Sequence, residues 1–481
     1  MTHQAKPGAV AAGHPLTAHA ASLVLEDGGN AYDAVLAAMM TSFVTEPLLS
    51  SVGGGGFLLA APYQRQPQVL DFFANAPLQR RDIQDLDFFP INGDFGDRIQ
   101  EFHIGHAAAT VPGIPAGIFT IHEQFCSRPL AELASTAIEL ARSGFIINAQ
   151  QALVSRILAP ILQSNQRVKT LYGDMTEGSE WRNPELADFL ETLCRESRQW
   201  FYHDHPANSI CLAHQHQGGL LRPEDFQNYQ VATRTPQHAH IQGHDVYTNP
   251  PPSNGGYLIL KQLKYACEQT QKPFDIGVLL EAMKQAEQAK QQHWQSRRGT
   301  SHISVVDTQG NLASLTLSNG ECNGHVVAGC GFMLNNFLGE EDINPHGFMQ
   351  WEPGARIASM MSPTAVIGKN RRIALGSGGS NRIKSTLFLS IYRLLNGDSL
   401  HQAILAPRFH FENNHCDVEP GFNTKEHGFL QTHCGNLTAW QSRHLYFGGV
   451  NAVESGQTIT ACGDMRRQGS GLINHNLTQT D

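Results

Sequence analysis

The stretch Arg297-Arg298-Gly299-Thr300-Ser301-His302 sets a basic, polar run directly before an apolar segment whose first residue carries a hydroxyl. Scission of the Gly299–Thr300 bond would place a new α-amine beside the Thr300 hydroxyl, so that one residue supplied nucleophile and base together. The ordinary start of a strand accounts for the same residues without any chemistry. A second candidate is Gly376-Ser377-Gly378-Gly379-Ser380-Asn381, a tight strand-to-helix turn whose N–H groups could hold an oxyanion. It has neither G-x-G-x-x-G nor a G-K-[ST] ending, so nucleotide binding is not indicated. Around Ser470 the flanking positions are Gln468 and Leu472, which rules out a G-x-S-x-G nucleophile elbow. The pairs His203/His205, His214/His216 and His238/His240 would share a face only on a strand, and no Cys or carboxylate stands at closed-zinc spacing. They read as solvated loop histidines, and no metal site is expected.

Positioning such groups requires a large packed core. Hydrophobic residues make up 41% of the 481 positions and charged residues 16%, with glycine and proline spread along the chain, which indicates a globular protein. The formal charge of −9 offers no basic excess for a nucleic-acid backbone. No apolar run is long enough to span a bilayer, and the first residues lack the basic start and unbroken apolar stretch of a signal peptide, so a cytoplasmic rather than periplasmic location is expected. The nine cysteines are scattered and never in C-x-x-C pairs, the pattern of free thiols. Apolar spacing predicts helices over 18–25, with Thr17 as its cap, and 31–43, separated by Asp27-Gly28-Gly29-Asn30. Four glycines, Gly53 to Gly56, precede a strand at 57–60 and imply a close backbone approach. Further helices are predicted over 132–142, 148–162, 184–198, 257–265 and 278–293. A hairpin joins 301–307 to 312–317, and a second β pair lies at 364–367 and 372–375. The order is α+β, in two or more packed layers.

Gly28-Gly29-Asn30-Ala31-Tyr32-Asp33-Ala34, Glu46-Pro47 and Gly53-Gly54-Gly55-Gly56-Phe57 resemble the opening of the γ-glutamyltranspeptidase family. The resemblance continues in order through Val111-Pro112-Gly113, Pro250-Pro251-Pro252-Ser253-Asn254-Gly255-Gly256, the run from Thr300 to Asp307 and Leu334-Asn335-Asn336. It then takes in Met361-Ser362-Pro363-Thr364, Gly376-Ser377-Gly378-Gly379, Ala406-Pro407-Arg408 and Gly463-Asp464-Met465-Arg466-Arg467, nearly the whole chain. It implies the four-layer αββα sandwich of N-terminal nucleophile (Ntn) hydrolases, as one domain over 1–481. That domain would cut itself into a large subunit, 1–299, and a small subunit, 300–481. The implied activity is transfer of a γ-glutamyl group from glutathione or a related amide to water or an amine, through an acyl-enzyme on Thr300, with no cofactor. The implied partners are a small-molecule substrate and the two subunits of one precursor, with a higher oligomer open; neither nucleic acid nor membrane is implied.

Residue by residue, the resemblance makes Thr300 the nucleophile, freed by cleavage after Gly299. It puts Ser318 where the family has a second threonine bonded to that nucleophile. Gly379, with Gly378 or Ser380, falls on the oxyanion loop. Asn319 and Ser359 match groups that contact the substrate carboxylate, while Met360 replaces a second serine. Phe73 stands in place of the arginine that pairs with the glutamyl α-carboxylate, and a ring cannot supply that bidentate clamp. Arg80 or Arg81 is the available substitute. Phe337 and Glu340 occupy the positions that hold the α-amine, where the cluster Glu340, Glu341 and Asp342 could still attract a cation. The segment between Asp342 and Arg356 is short where many members carry a lid, which implies an open cleft. Two other readings stand beside this one: an amidase of the same family acting on a more apolar acyl group, and an unprocessed, non-catalytic relative used for binding.

Overall fold

The computed structural model describes residues 8–94, 99–269, 274–291, 300–340 and 347–474. Period-two alternation along its strands decides the layering. In Gly55–Ala61, Leu58 and Ala60 enter one apolar cluster, and Phe57, Leu59 and Ala61 enter another on the opposite face. In Arg372–Gly378, Ile373 and Leu375 face a third cluster, while Ala374 joins Phe57 and Leu59. Two sheets buried on both faces therefore share one apolar layer.

The first sheet runs Ser470–Asn474, Gly8–Ala12, Ser301–Val306, Leu312–Ser318, Gly55–Ala61, Gln68–Phe72, Ala232–Arg234. The second runs Ile459–Cys462, Gly449–Ser455, Arg372–Gly378, Thr364–Ile367, His244–Thr248, Gln237–Ile241. Every neighbouring pair in both is antiparallel. Helices Pro15–Glu26, Ala31–Thr45 and Ile114–Phe125 cover the first sheet; Gly255–Gln269, Ile276–Gln291 and Arg382–Leu395 cover the second. The layers are helix, sheet, sheet, helix, as the resemblance implied. No helix among the described residues is long and apolar enough to cross a membrane.

Both predicted β pairs form, in the registers Ser301↔Leu317 and Thr364↔Leu375. The opening helix starts earlier than expected. His14 caps it, its Nδ1 accepting from Leu16 N at 3.1 Å, because Pro15 fits the first helical position. Thr17 lies inside that helix and bonds the Thr45 hydroxyl at 2.7 Å. The predicted 148–162 helix divides into Ala149–Ile157 and Ala159–Leu162, with Pro160 at the start of the second. The histidine pairs are not loop residues. His214 is buried within His205–His216, and His238 and His240 share a face of strand Gln237–Ile241, each 2.9 Å from Asp245 Oδ1.

Candidate active site

Ser301–Val306 is the third of seven strands, and Thr300 immediately precedes it, 2% exposed. One step beyond the pair Ser301↔Leu317 sets Thr300 across from Ser318. Gly299, the other half of the expected scissile bond, lies outside the described residues, as do Arg297 and Arg298. Arg467 Nη1 donates to the Thr300 carbonyl at 3.0 Å. From the second sheet Gly378 comes so close that a Cβ there would lie 2.0 Å from that same oxygen. Gly379, at φ +119°, then turns the chain into helix Arg382–Leu395, a conformation open to glycine. Among the described residues neither the Gly379 nor the Ser380 N–H donates to a protein group, leaving two adjacent donors for an anion.

Behind Thr300, Glu46 ends helix Ala31–Thr45 and accepts from Ser301 Oγ at 2.9 Å. Burial pushes its carboxyl up to about 7 against the opposing pull of the Ser301 hydroxyl and the Arg467 charge. Burial likewise brings Arg467 down to about 10. His302 is lowered to about 3 by burial, and its ring is held between Thr316 Oγ1 at 2.8 Å and Ser304 Oγ at 2.9 Å. The backbone carrying Arg467 is fixed by an enclosed ion cluster. Asp464 pairs with Arg408 at 2.7 Å and Arg466 at 3.2 Å, and Arg466 also meets Glu419 at 2.6 Å.

Two small cavities adjoin these groups. One, of about 40 Å³, is lined by Glu46, Thr300, Gly378, Asn451 and Arg467 among others. The other, of about 50 Å³, is lined in part by Gly320, Glu321, Ser380 and Arg382, so it carries both signs of charge. Leu48, Leu49, Gln150, Val154 and Arg467 border both. Part of the 342–356 segment, on which the expected open cleft rests, lies outside the described residues.

The remaining sequence-predicted residues line neither of these cavities. Ser318 Oγ accepts from Gly320 N at 3.1 Å. Asn319 is fully buried, its amide donating to Cys322 Sγ at 3.1 Å. Glu340 is buried beside Gly320, where an added Cβ would lie 2.6 Å from its Oε1, and Glu341 and Asp342 fall outside the described residues. Ser359 Oγ accepts from Met361 N at 3.0 Å. Phe73 stacks at 5.4 Å on Phe57 and 4.6 Å on Phe337, within the apolar layer between the sheets. Arg80 and Arg81 donate to the carbonyls of Trp351 and Gly219. The guanidinium that does reach Phe73 belongs to Arg356, which bonds the Phe73 carbonyl and lies 3.5 Å from Asp71. Sequence reasoning assigned no role to Glu46, Arg382, Asn451 or Arg467. Glu46 and Arg467 lay within quoted motifs, and that was the signal available for them.

Two antiparallel sheets between helical layers, with Thr300 heading a central strand, define the Ntn-hydrolase class. A cephalosporin acylase from Bacillus halodurans superposes with a TM-score of 0.82 at 20% identity, covering 97% of this chain and 96% of that one. The chain belongs to the gamma-glutamyltranspeptidase family, whose model matches residues 17–294 and 285–473. It is 28% identical to the capsule biosynthesis protein CapD proenzyme of Bacillus anthracis, over 96% of this chain and 90% of that protein. It is also 28% identical to a glutathione hydrolase proenzyme of Pseudomonas aeruginosa, over 84% and 83%.

Proposed function

We propose that this chain is an autoprocessing γ-glutamyl hydrolase or transferase whose nucleophile is Thr300, released by cleavage of the Gly299–Thr300 bond. The Thr300 hydroxyl attacks the γ-carbonyl of a glutathione-like amide and passes its proton to the Thr300 α-amine. The N–H groups around Gly378, Gly379 and Ser380 take the oxyanion. The C–N bond then breaks, the leaving amine takes the proton back, and the ester on Thr300 passes its acyl group to water or another amine. Ser318, across the strand pair, orients the nucleophile. Asn319, Glu340 and Ser359 bound the acyl site, with Glu321 and Arg382 offering opposite charges to the zwitterionic end of a glutamyl group. The observation that carries this reading is the enclosure of Thr300 against Gly378, with two unspent backbone N–H groups beyond it.

The pieces 1–299 and 300–481 would form a large and a small subunit of one domain, because both sheets draw strands from each. A second reading, a more apolar acyl donor, is favoured by the stack of Phe57, Phe73 and Phe337 where the family arginine would stand. Intact mass and turnover of a γ-glutamyl anilide test both readings. Two fragments, the second beginning at Thr300, with anilide turnover, and loss of both in Thr300→Ala, is the expected result. Fragments without turnover would favour the apolar donor, and one uncut, inactive wild-type chain would overturn both.

A further inference from the structure

Away from Thr300, three separated segments bring an Asp-His-His set together. Asp87 follows the turn Ile83–Asp85, His106 opens the short helix His106–Ala108, and His325 lies in the loop after Leu312–Ser318. Asp87 Oδ2 lies 2.8 Å from His106 Nδ1 and 3.0 Å from His325 Nε2, and the imidazole centroids are 3.7 Å apart. One ligand atom from each lies within 4.8 Å of the others. Tetrahedral ligands about 2.0–2.1 Å from an ion stand about 3.3 Å from one another, so the two Asp87–histidine contacts need open by only about 0.3–0.5 Å to admit one, while the two imidazoles must also splay apart from their present stacking.

His106 and His325 border a cavity of about 170 Å³ that shares no lining residue with the two at the candidate active site. Two more of its lining groups hold a buried nitrogen without a partner, His214 Nε2 and Asn323 Nδ2. The donor character of both is fixed by their other contacts. His214 Nδ1 accepts from Leu221 N at 3.2 Å, which leaves the proton on Nε2. Asn323 Oδ1 accepts from His325 N at 3.1 Å, which fixes its amide as the unpaired end. Two enclosed donors lacking an acceptor are costly unless an oxygen ligand meets them.

We propose that Asp87, His106 and His325 bind a divalent first-row transition ion of zinc type, with an open position facing the cavity. His214 and Asn323 donate there to a metal-bound water or hydroxide. Two imidazoles and one carboxylate suit such an ion better than calcium or magnesium, which take oxygen ligands. On binding, each imidazole moves its proton to the ring nitrogen away from the ion, and no net proton need be lost.

The full chain, dialysed against a chelator, is titrated with Co²⁺ and then with Zn²⁺. The expected result is one Co²⁺ per chain with a visible ligand-field band that Zn²⁺ abolishes. His325→Ala and Asp87→Asn should weaken binding by at least roughly a hundredfold, and His214→Gln or Asn323→Ala by roughly 10–100-fold. His325 is partly exposed, so its alanine variant should fold, which a circular-dichroism melt checks; His325→Gln serves in its place otherwise. No band in the wild type, or equal affinity in the His325 variant, overturns the proposal.

Discussion

At the scale of single residues, the contact between Gly378 and the Thr300 carbonyl leaves no space for one further carbon, since a Cβ would lie 2.0 Å from the oxygen. Both partners are backbone, so neither can swing aside. Gly378→Ala is therefore expected to displace Thr300 and block processing, leaving a single chain by intact mass. Glu46 makes a different prediction. Its folded carboxyl titrates near 7 rather than 4.5, so between those values the folded chain holds a proton that the unfolded chain has released. That contribution is fully present below about 4.5 and lost as pH rises through 7, up to roughly 3 kcal/mol. Denaturant unfolding at pH 5 and pH 8 should show this loss in the wild type and not in Glu46→Gln.

Among the elements, the loop bearing Arg467 depends on the enclosed cluster of Arg408, Glu419, Asp464 and Arg466. Asp464→Asn leaves two buried guanidiniums short of a counter-charge, an expected cost of about 3–5 kcal/mol in chemical denaturation. The hairpin through Thr300 was legible because its period-two pattern and the Thr308-Gln309-Gly310-Asn311 turn are local signals. So were the first two helices, divided at Asn30, whose side chain and that of Asp33 make a reciprocal cap. Helix Arg382–Leu395 was legible only as a turn: Arg382, Ser385, Thr386, Ser390 and Arg393 do form a polar stripe along it, but most of that stripe is buried, which the sequence does not show. Glu46 was read as a helix end before proline, and nothing local says that Ser301, 255 residues on, is its partner. Asp87, His106 and His325 stayed invisible for the same reason, because only tertiary folding joins them. Phe73 was seen to replace an arginine, but its stacking between the sheets, and the approach of Arg356 to its backbone, required coordinates.

Over the whole molecule, cleavage before Thr300 would yield pieces of 299 and 182 residues that both contribute strands to each of the two large sheets. They should co-elute in native gel filtration and separate only in denaturant; separate native peaks would contradict a single shared domain. Chain ends are ordinarily where a fold frays. An end created at Thr300 would instead begin a strand clasped along one edge by Gly8–Ala12 and along the other by Leu312–Ser318. Its amine would inherit the stillness of the protein's interior, with little orientational freedom left to surrender when a substrate arrives.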